Sequence, residues 1–457
     1  MTEPQWYSAV GSAVLALVTV LERRRLFSTS TISGLFIAYL VFGFVGILLL
    51  PWARAGVVLE EDLRVGFGFI DWRKITDRDL SLSILIYVGG FLLALLGHRI
   101  AGSLARFQDA VYASPRELRV GRLVAVAVPA VLLTVGHVAL NPDVFAQGIE
   151  TAIIGAEKAA VHEYRYAAVT NYPFVLTVYN VLPFLSTTLW AHSRSSHSPV
   201  LKVFSVFLAS ITAVMLLLTF QKMPLMVFAI ALGATELAAQ RARNADQTAV
   251  STARQAPRFV VVSLALLFLI SLLQSAMKGG EAQTDPLRVS LREIFGRISV
   301  GAPMFVHYFP DLGDHYGLSG LRMFALVTGE PLFETTAVVF RYFTHSNEGS
   351  AAIAAIVDFY CAWGWPGWVI GCTLLGVALA QLDRLIRALP RGESRLLAII
   401  YAFTFCMHLG QASVFNASFG YGGVFFLSLW FVLFAPKANS AATDGARPMR
   451  NVPQGAR

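Results

Sequence analysis

Charge is scarce in this sequence. Of 457 residues, 14% are Asp, Glu, Lys or Arg, where soluble domains run near a quarter. That shortage excludes an ordinary soluble enzyme and a disordered chain. Cysteine is scarcer still: Cys361, Cys372 and Cys406 are the three in the chain. They are too few and too scattered for a disulfide framework or a thiolate metal site, and each sits in or beside an apolar stretch, which reads as buried packing. The glycine loops that cradle phosphate, the HExxH helix and the GxSxG turn are missing too. Low-complexity sequence is confined to the polar tail, 438–457, read as disordered and cytoplasmic.

What is abundant is apolar. Hydrophobic residues make up 56% of the chain and its mean hydropathy is +0.61. Several runs approach or exceed the roughly 18 residues that read as membrane-spanning. Only helices and closed barrels satisfy every backbone polar group in lipid. The pattern therefore predicts an all-α polytopic membrane protein with eleven spans: 5–21, 31–50, 80–97, 123–140, 172–191, 201–219, 223–239, 259–276, 359–382, 396–413 and 420–435. The first, seventh and last are short. Residues 1–276 form an N-terminal bundle of eight helices, 277–358 a large outer loop, and 359–437 the C-terminal helices.

Charge placement sets the sidedness. With the N-terminus outside, one set of loops holds Arg23 to Arg25, residues 98–122, Arg194, Lys202, residues 241–258, residues 384–395 and the tail. That side carries 22 of the 36 basic residues against 8 of the 28 acids. Lys and Arg concentrate in cytoplasmic loops, so the expectation is a multi-pass membrane protein with its N-terminus outside and its C-terminus in the cytoplasm. The formal net charge of +8 is then topology, not a nucleic-acid surface.

Ionisable residues at the outer boundary are the candidates for chemistry. Lys222 stands between two apolar runs with almost no polar loop, where an ammonium must snorkel, pair or bind an anion. Arg297 follows Gly296 and precedes an apolar run, and Arg341 sits within Val338-Val339-Phe340-Arg341-Tyr342-Phe343. Arginine fits phosphate oxygens with a planar fork of donors. His307, Asp311, Asp314 and His315 crowd one stretch broken by Pro310 and Gly313, which suits a general base or a metal ligand set. Asp358 enters the ninth span and His408 lies inside the tenth. Asp77-Arg78-Asp79 forms a DxD string, a pattern that also arises by chance, and Leu287 to Arg297 has the spacing of an interfacial amphipathic helix.

Many spans and a large outer loop are followed by Ala355-Ile356-Val357-Asp358-Phe359-Tyr360, then by Gly364-Trp365-Pro366-Gly367-Trp368-Val369-Ile370-Gly371 and Leu374-Leu375-Gly376. This arrangement resembles the bacterial O-antigen polymerases, the oligosaccharide repeat-unit polymerases, mainly over residues 215–380. The isolated Lys222 resembles the basic residue that the family places between two spans. The resemblance implies a GT-C-like membrane glycosyltransferase. Its donor would be a growing glycan on polyprenyl pyrophosphate, and its acceptor one repeat unit on the same lipid. It implies no metal and no cofactor. As partners it implies lipid-linked oligosaccharides, membrane lipid, a chain-length regulator and other polysaccharide-assembly proteins.

The chemistry is consistent with that reading. A sugar hydroxyl must attack an anomeric carbon while pyrophosphate leaves and gains charge, and fixed cations stabilise that charge. Lys222, Arg297 and Arg341 are the expected clamp; His307 is the first choice of base and Asp358 the second. Three other readings remain open at this point: an O-antigen ligase, a metal-dependent polyprenyl-phosphate-sugar transferase, and a lipid-linked glycan flippase.

Overall fold

A computed structural model describes residues 1–28, 30–55, 72–104, 116–154, 171–196, 198–219, 222–243, 297–320, 327–329, 333–345, 351–389 and 392–436. Their regular structure is helical, apart from one short antiparallel pair, β1 (Arg116–Leu118) and β2 (Phe434–Pro436). The helices are α1 (Glu3–Leu21), α2 (Arg23–Leu26), α3 (Thr31–Arg54), α4 (Asp77–Leu104), α5 (Val120–Leu140), α6 (Pro142–Ile154), α7 (Pro173–Ser195), α8 (Pro199–Leu218) and α9 (Lys222–Arg243). They continue with α10 (Arg297–Tyr308), α11 (Thr335–Thr344), α12 (Ala355–Ala388), α13 (Glu393–Leu409) and α14 (Asn416–Leu433).

Eight of these are long and apolar enough to cross a membrane: α1, α3, α4, α5, α7, α8, α12 and α14. The chain is therefore an all-α polytopic membrane protein. Two more expected spans, 223–239 and 396–413, fall on α9 and α13, whose apolar lengths are shorter. The expected span 259–276, the stretch to residue 296 and the tail from 437 lie outside the described residues. Local signals start several helices. Ser30 caps α3 by accepting from Ser33 N (3.4 Å), and Ser198 caps α8 in the same way, with Pro199 at the first helical position, where its missing N–H is no loss.

The tightest pair in the bundle is α4 with α12. A side chain at Gly376 would run into the Ala94 carbonyl oxygen, and one at Gly97 into the Thr373 carbonyl oxygen. Lipid tails are as apolar as leucine, so helices gain from close backbone approach rather than from hydrophobic burial. Around this pair, α1, α3, α10 and α11 build one buried cluster. The helices α5, α7, α8, α9, α13 and α14 hold two others, and α3 packed on α13 joins the two groups.

Helix α10 departs from expectation. Residues 277–358 read as an outer loop, yet α10 is buried between α3, α4 and α12. Ser299 Oγ donates to the carbonyls of Phe42 (3.4 Å) and Gly43 (3.2 Å), inside the π-bulge Leu40–Phe44 of α3. A π-bulge shifts the hydrogen-bond ladder by one residue, and a hydroxyl from α10 reaches two carbonyls within it. Twelve residues cover only about 18 Å, too short to register as a span.

The helix ends sort into two sets. At one end Glu22 pairs with Arg25 and Arg99, buried His98 and Thr31 N bind Asp383 (2.9 and 2.7 Å), His192 meets Glu393 (3.0 Å), and β1 pairs with β2. At the other, Arg54 pairs with Asp77 (3.6 Å), His307 with Asp79 (2.9 Å), and Asn180 Nδ2 donates to the Gly420 carbonyl (3.5 Å). Segments grouped by charge thus meet one another. The first set forms the basic end and the second the acidic end.

Candidate functional site

The acidic end of α4 begins with a reciprocal cap. Thr76 N and Thr76 Oγ1 both donate to Asp79 Oδ2 (2.7 and 2.8 Å), and Asp79 N donates back to Thr76 Oγ1 (3.2 Å). This is the capping-box geometry with Asp in the third helical position. It separates the carboxylates of the DxD string. Asp77 is exposed and faces Arg54, whereas Asp79 is 4% exposed and points inward. Successive odd positions on a helix diverge by about 200°, so the pair does not converge on an ion.

The same Asp79 Oδ2 lies 2.9 Å from His307 Nδ1 at the end of α10. A carboxylate only accepts, so Nδ1 carries the hydrogen and Nε2 is left as the nitrogen that takes a proton. The imidazole is half-buried, with Tyr342 and Phe343 of α11 beside it at centroid distances of 6.2 and 5.6 Å. Lys74 completes this corner. Its ammonium donates to the Tyr342 carbonyl (2.8 Å) and lies 4.1 Å from the centre of the Tyr342 ring.

Asp358 stands in the first turn of α12 and accepts a hydrogen bond from Tyr316 Oη. Burial, and then the Asp358 charge, push the Tyr316 phenol well above its ordinary range, so it remains a donor at any neutral pH. Two residues of the same loop close the break in α12. At Gly364 the backbone turns to φ +65°, and Pro366 has no N–H to give, so carbonyls one turn earlier lose their helical partners. The His315 ring nitrogen Nδ1 takes the Cys361 carbonyl (3.0 Å) and Gly317 N takes that of Ala362 (2.8 Å). A Cβ on Gly364 would lie 2.9 Å from His315 Nε2. Irregular backbone inside a membrane protein persists only where protein groups satisfy it.

Tyr360 links the two halves. It lies in the field of Asp311, Arg78 and Asp79 and edge-on to His315 at 5.9 Å. Asp311 is itself paired with Arg78 (3.7 Å). The crowded stretch His307 to His315 therefore points its imidazoles to different partners. Among the described residues no three His, Cys, Asp or Glu side chains gather into a metal site.

The three residues of the expected clamp open or lie on three different helices. Arg297 opens α10, the helix that closes with His307, about 15 Å away along the axis. Arg341 is exposed on α11, which packs against α10. Lys222 opens α9, which packs on α7, α8 and α13. That region holds a second polar feature, a cavity of about 10 Å³ lined by Asn180, Pro224, His408 and Tyr421 among others. His408 stacks on Tyr421 at 4.5 Å and its Nδ1 has no hydrogen-bond partner among the described residues; the space suits about one water molecule.

Sequence reasoning missed Lys74 and Tyr316, which carry no local signal. It also missed the role of Asp79, which stood in view as the fourth residue of Thr76-Asp77-Arg78-Asp79. No family model matches this chain, and neither a curated protein nor a solved structure does.

Proposed function

We propose that the chain is a bacterial inner-membrane glycosyltransferase of GT-C type, with the acidic end periplasmic. It joins oligosaccharide repeat units carried on polyprenyl pyrophosphate into a surface polysaccharide: an O-antigen, capsule or exopolysaccharide. The supporting observation is the Asp79–His307 pair at the end of a membrane bundle, on helices that pack against α12, whose first turn carries Asp358, the acid of the family resemblance. In the proposed reaction His307 Nε2 takes the proton from the acceptor hydroxyl as its oxygen bonds to the anomeric carbon. The bond from that carbon to the phosphate oxygen breaks, and the lipid diphosphate leaves with the electron pair. Asp79 holds the ring and stabilises the imidazolium, as an orienting carboxylate does beside a general base. Asp358, already engaged by Tyr316, is the second candidate base. Lys222, Arg297 and Arg341 are assigned to the departing diphosphate.

A lipid-glycan gel of a deletion strain complemented with variants tests this. His307→Ala is expected to leave single capped units at unchanged protein level, with general-base loss on the order of 10²–10⁴ in rate. Lys222→Ala, Arg297→Ala and Arg341→Ala are each expected to abolish long chains. A near-normal ladder from His307→Ala rejects the base, and normal ladders from all three cation variants reject the clamp. Long polymer accumulating on the carrier lipid in the deletion strain marks a ligase instead.

A further inference from the structure

We infer that the groove where α1 meets α2, at the basic end, binds the headgroup of an anionic phospholipid. Helix α1 touches the bundle along a narrow strip, Gln5, Ser8, Gly11 and Leu15, and leaves Leu17, Val20 and Leu21 exposed, the last two above 70%. It is an outer helix with an apolar flank turned to lipid. Nineteen residues cover about 28 Å, so its last turn reaches headgroup depth.

At that depth the chain places Arg23, Arg24 and Arg25 in succession. The acid beside them is spent: the Glu22 carboxylate is 10% exposed and held between Arg25 (3.4 Å) and Arg99. Arg23 and Arg24 face outward on the rim. Val20, Leu21, Glu22 and the three arginines line an open surface groove of about 380 Å³. One wall is apolar and the other guanidinium. That pairing matches an amphiphile, with acyl chains against Val20 and Leu21 and a phosphate against the forked donors of Arg23 and Arg24. A free phosphate would leave the apolar wall uncovered, which favours the lipid. The site does not depend on the glycosyl-transfer reading.

Native mass spectrometry of the purified full chain tests it, with phosphatidylglycerol and phosphatidylcholine of identical acyl chains. The wild type is expected to retain phosphatidylglycerol several-fold over phosphatidylcholine, and free glycerol phosphate at the same concentration is expected not to displace it. Arg23→Gln with Arg24→Gln is expected to erase the preference at an unchanged thermal midpoint. Arg23→Lys with Arg24→Lys keeps the charge that sets topology but loses the planar fork, and is expected to weaken it. Equal retention of the two lipids by the wild type overturns the site whether or not the variants insert. A preference untouched by the glutamine pair also overturns it, and displacement by glycerol phosphate shows a soluble-anion site instead.

Discussion

Asp79 performs two tasks that substitution separates. It closes the cap of α4 and it fixes the tautomer of His307. Asparagine retains an acceptor for Thr76 but not the charge facing the imidazole. Asp79→Asn is therefore expected to lower polymer formation about tenfold or more while shifting stability by only a few tenths of a kcal/mol, and Asp79→Ala is expected to lose about 1 kcal/mol as well, the usual value of a cap. Thermal unfolding in detergent, run beside the glycan ladder, separates the two. Tyr316 gives the second residue-scale test. Tyr316→Phe removes the donor to a half-buried carboxylate and is expected to destabilise by about 1.5–3 kcal/mol. Because the folded phenol titrates above its ordinary range, it is protonated in both folded and unfolded chains below pH about 10. The difference between wild type and Tyr316→Phe that comes from this phenol should thus stay flat from pH 6 to 9 and shrink only beyond 10, as the unfolded phenol ionises first. A steady decline between pH 6 and 9 in unfolding measurements contradicts that assignment.

Spans were legible because lipid leaves the backbone no alternative to a helix, and hydropathy records that constraint residue by residue. The boundaries of α3, α4, α5 and α8 accordingly fall close to expectation. Helix α10 was not legible as core: it is too short for a span signal, and among the groups it packs against is a π-bulge some 250 residues earlier in the chain. The site divides in the same way. His307 and Asp358 stand out as ionisable groups against apolar neighbours, but their partners, Asp79 and Tyr316, are 228 and 42 residues distant, and no local pattern encodes such a meeting. Thr76-x-x-Asp79 read as half of a metal string although its spacing is that of a helix start. At the contact of α4 and α12 the test is direct. Gly376→Val places two methyl groups against the Ala94 carbonyl, and overpacking of that kind costs about 1–3 kcal/mol. Reduced thermal stability and lost polymer are expected together, because α4 carries Asp79 and α12 carries Asp358. A variant as stable as wild type would mean that the helices do not approach this closely.

The whole molecule is organised by its two ends. Charge counting divides the loops between two sides of a bilayer, and the contacts reunite the loops of each side independently: Arg99 with Glu22, His98 with Asp383 and His192 with Glu393 at one end, Asp77 with Arg54 and Asp79 with His307 at the other. Both kinds of information agree although one uses composition and the other geometry. The native cysteines make this testable, since all three are buried and the folded wild type should resist a membrane-impermeant maleimide. Asp314→Cys, exposed at the acidic end, is expected to label in spheroplasts with intact inner membranes. Arg387→Cys, exposed at the basic end, is expected to label only after that membrane is opened. The reverse pattern inverts the molecule and moves the Asp79–His307 pair to the cytoplasm, where a polymerase acting on exported lipid-linked units has no substrate. Labelling of both in closed spheroplasts would mean that the ends do not lie on opposite faces, and the site would lose the boundary between lipid and water on which its proposed chemistry depends.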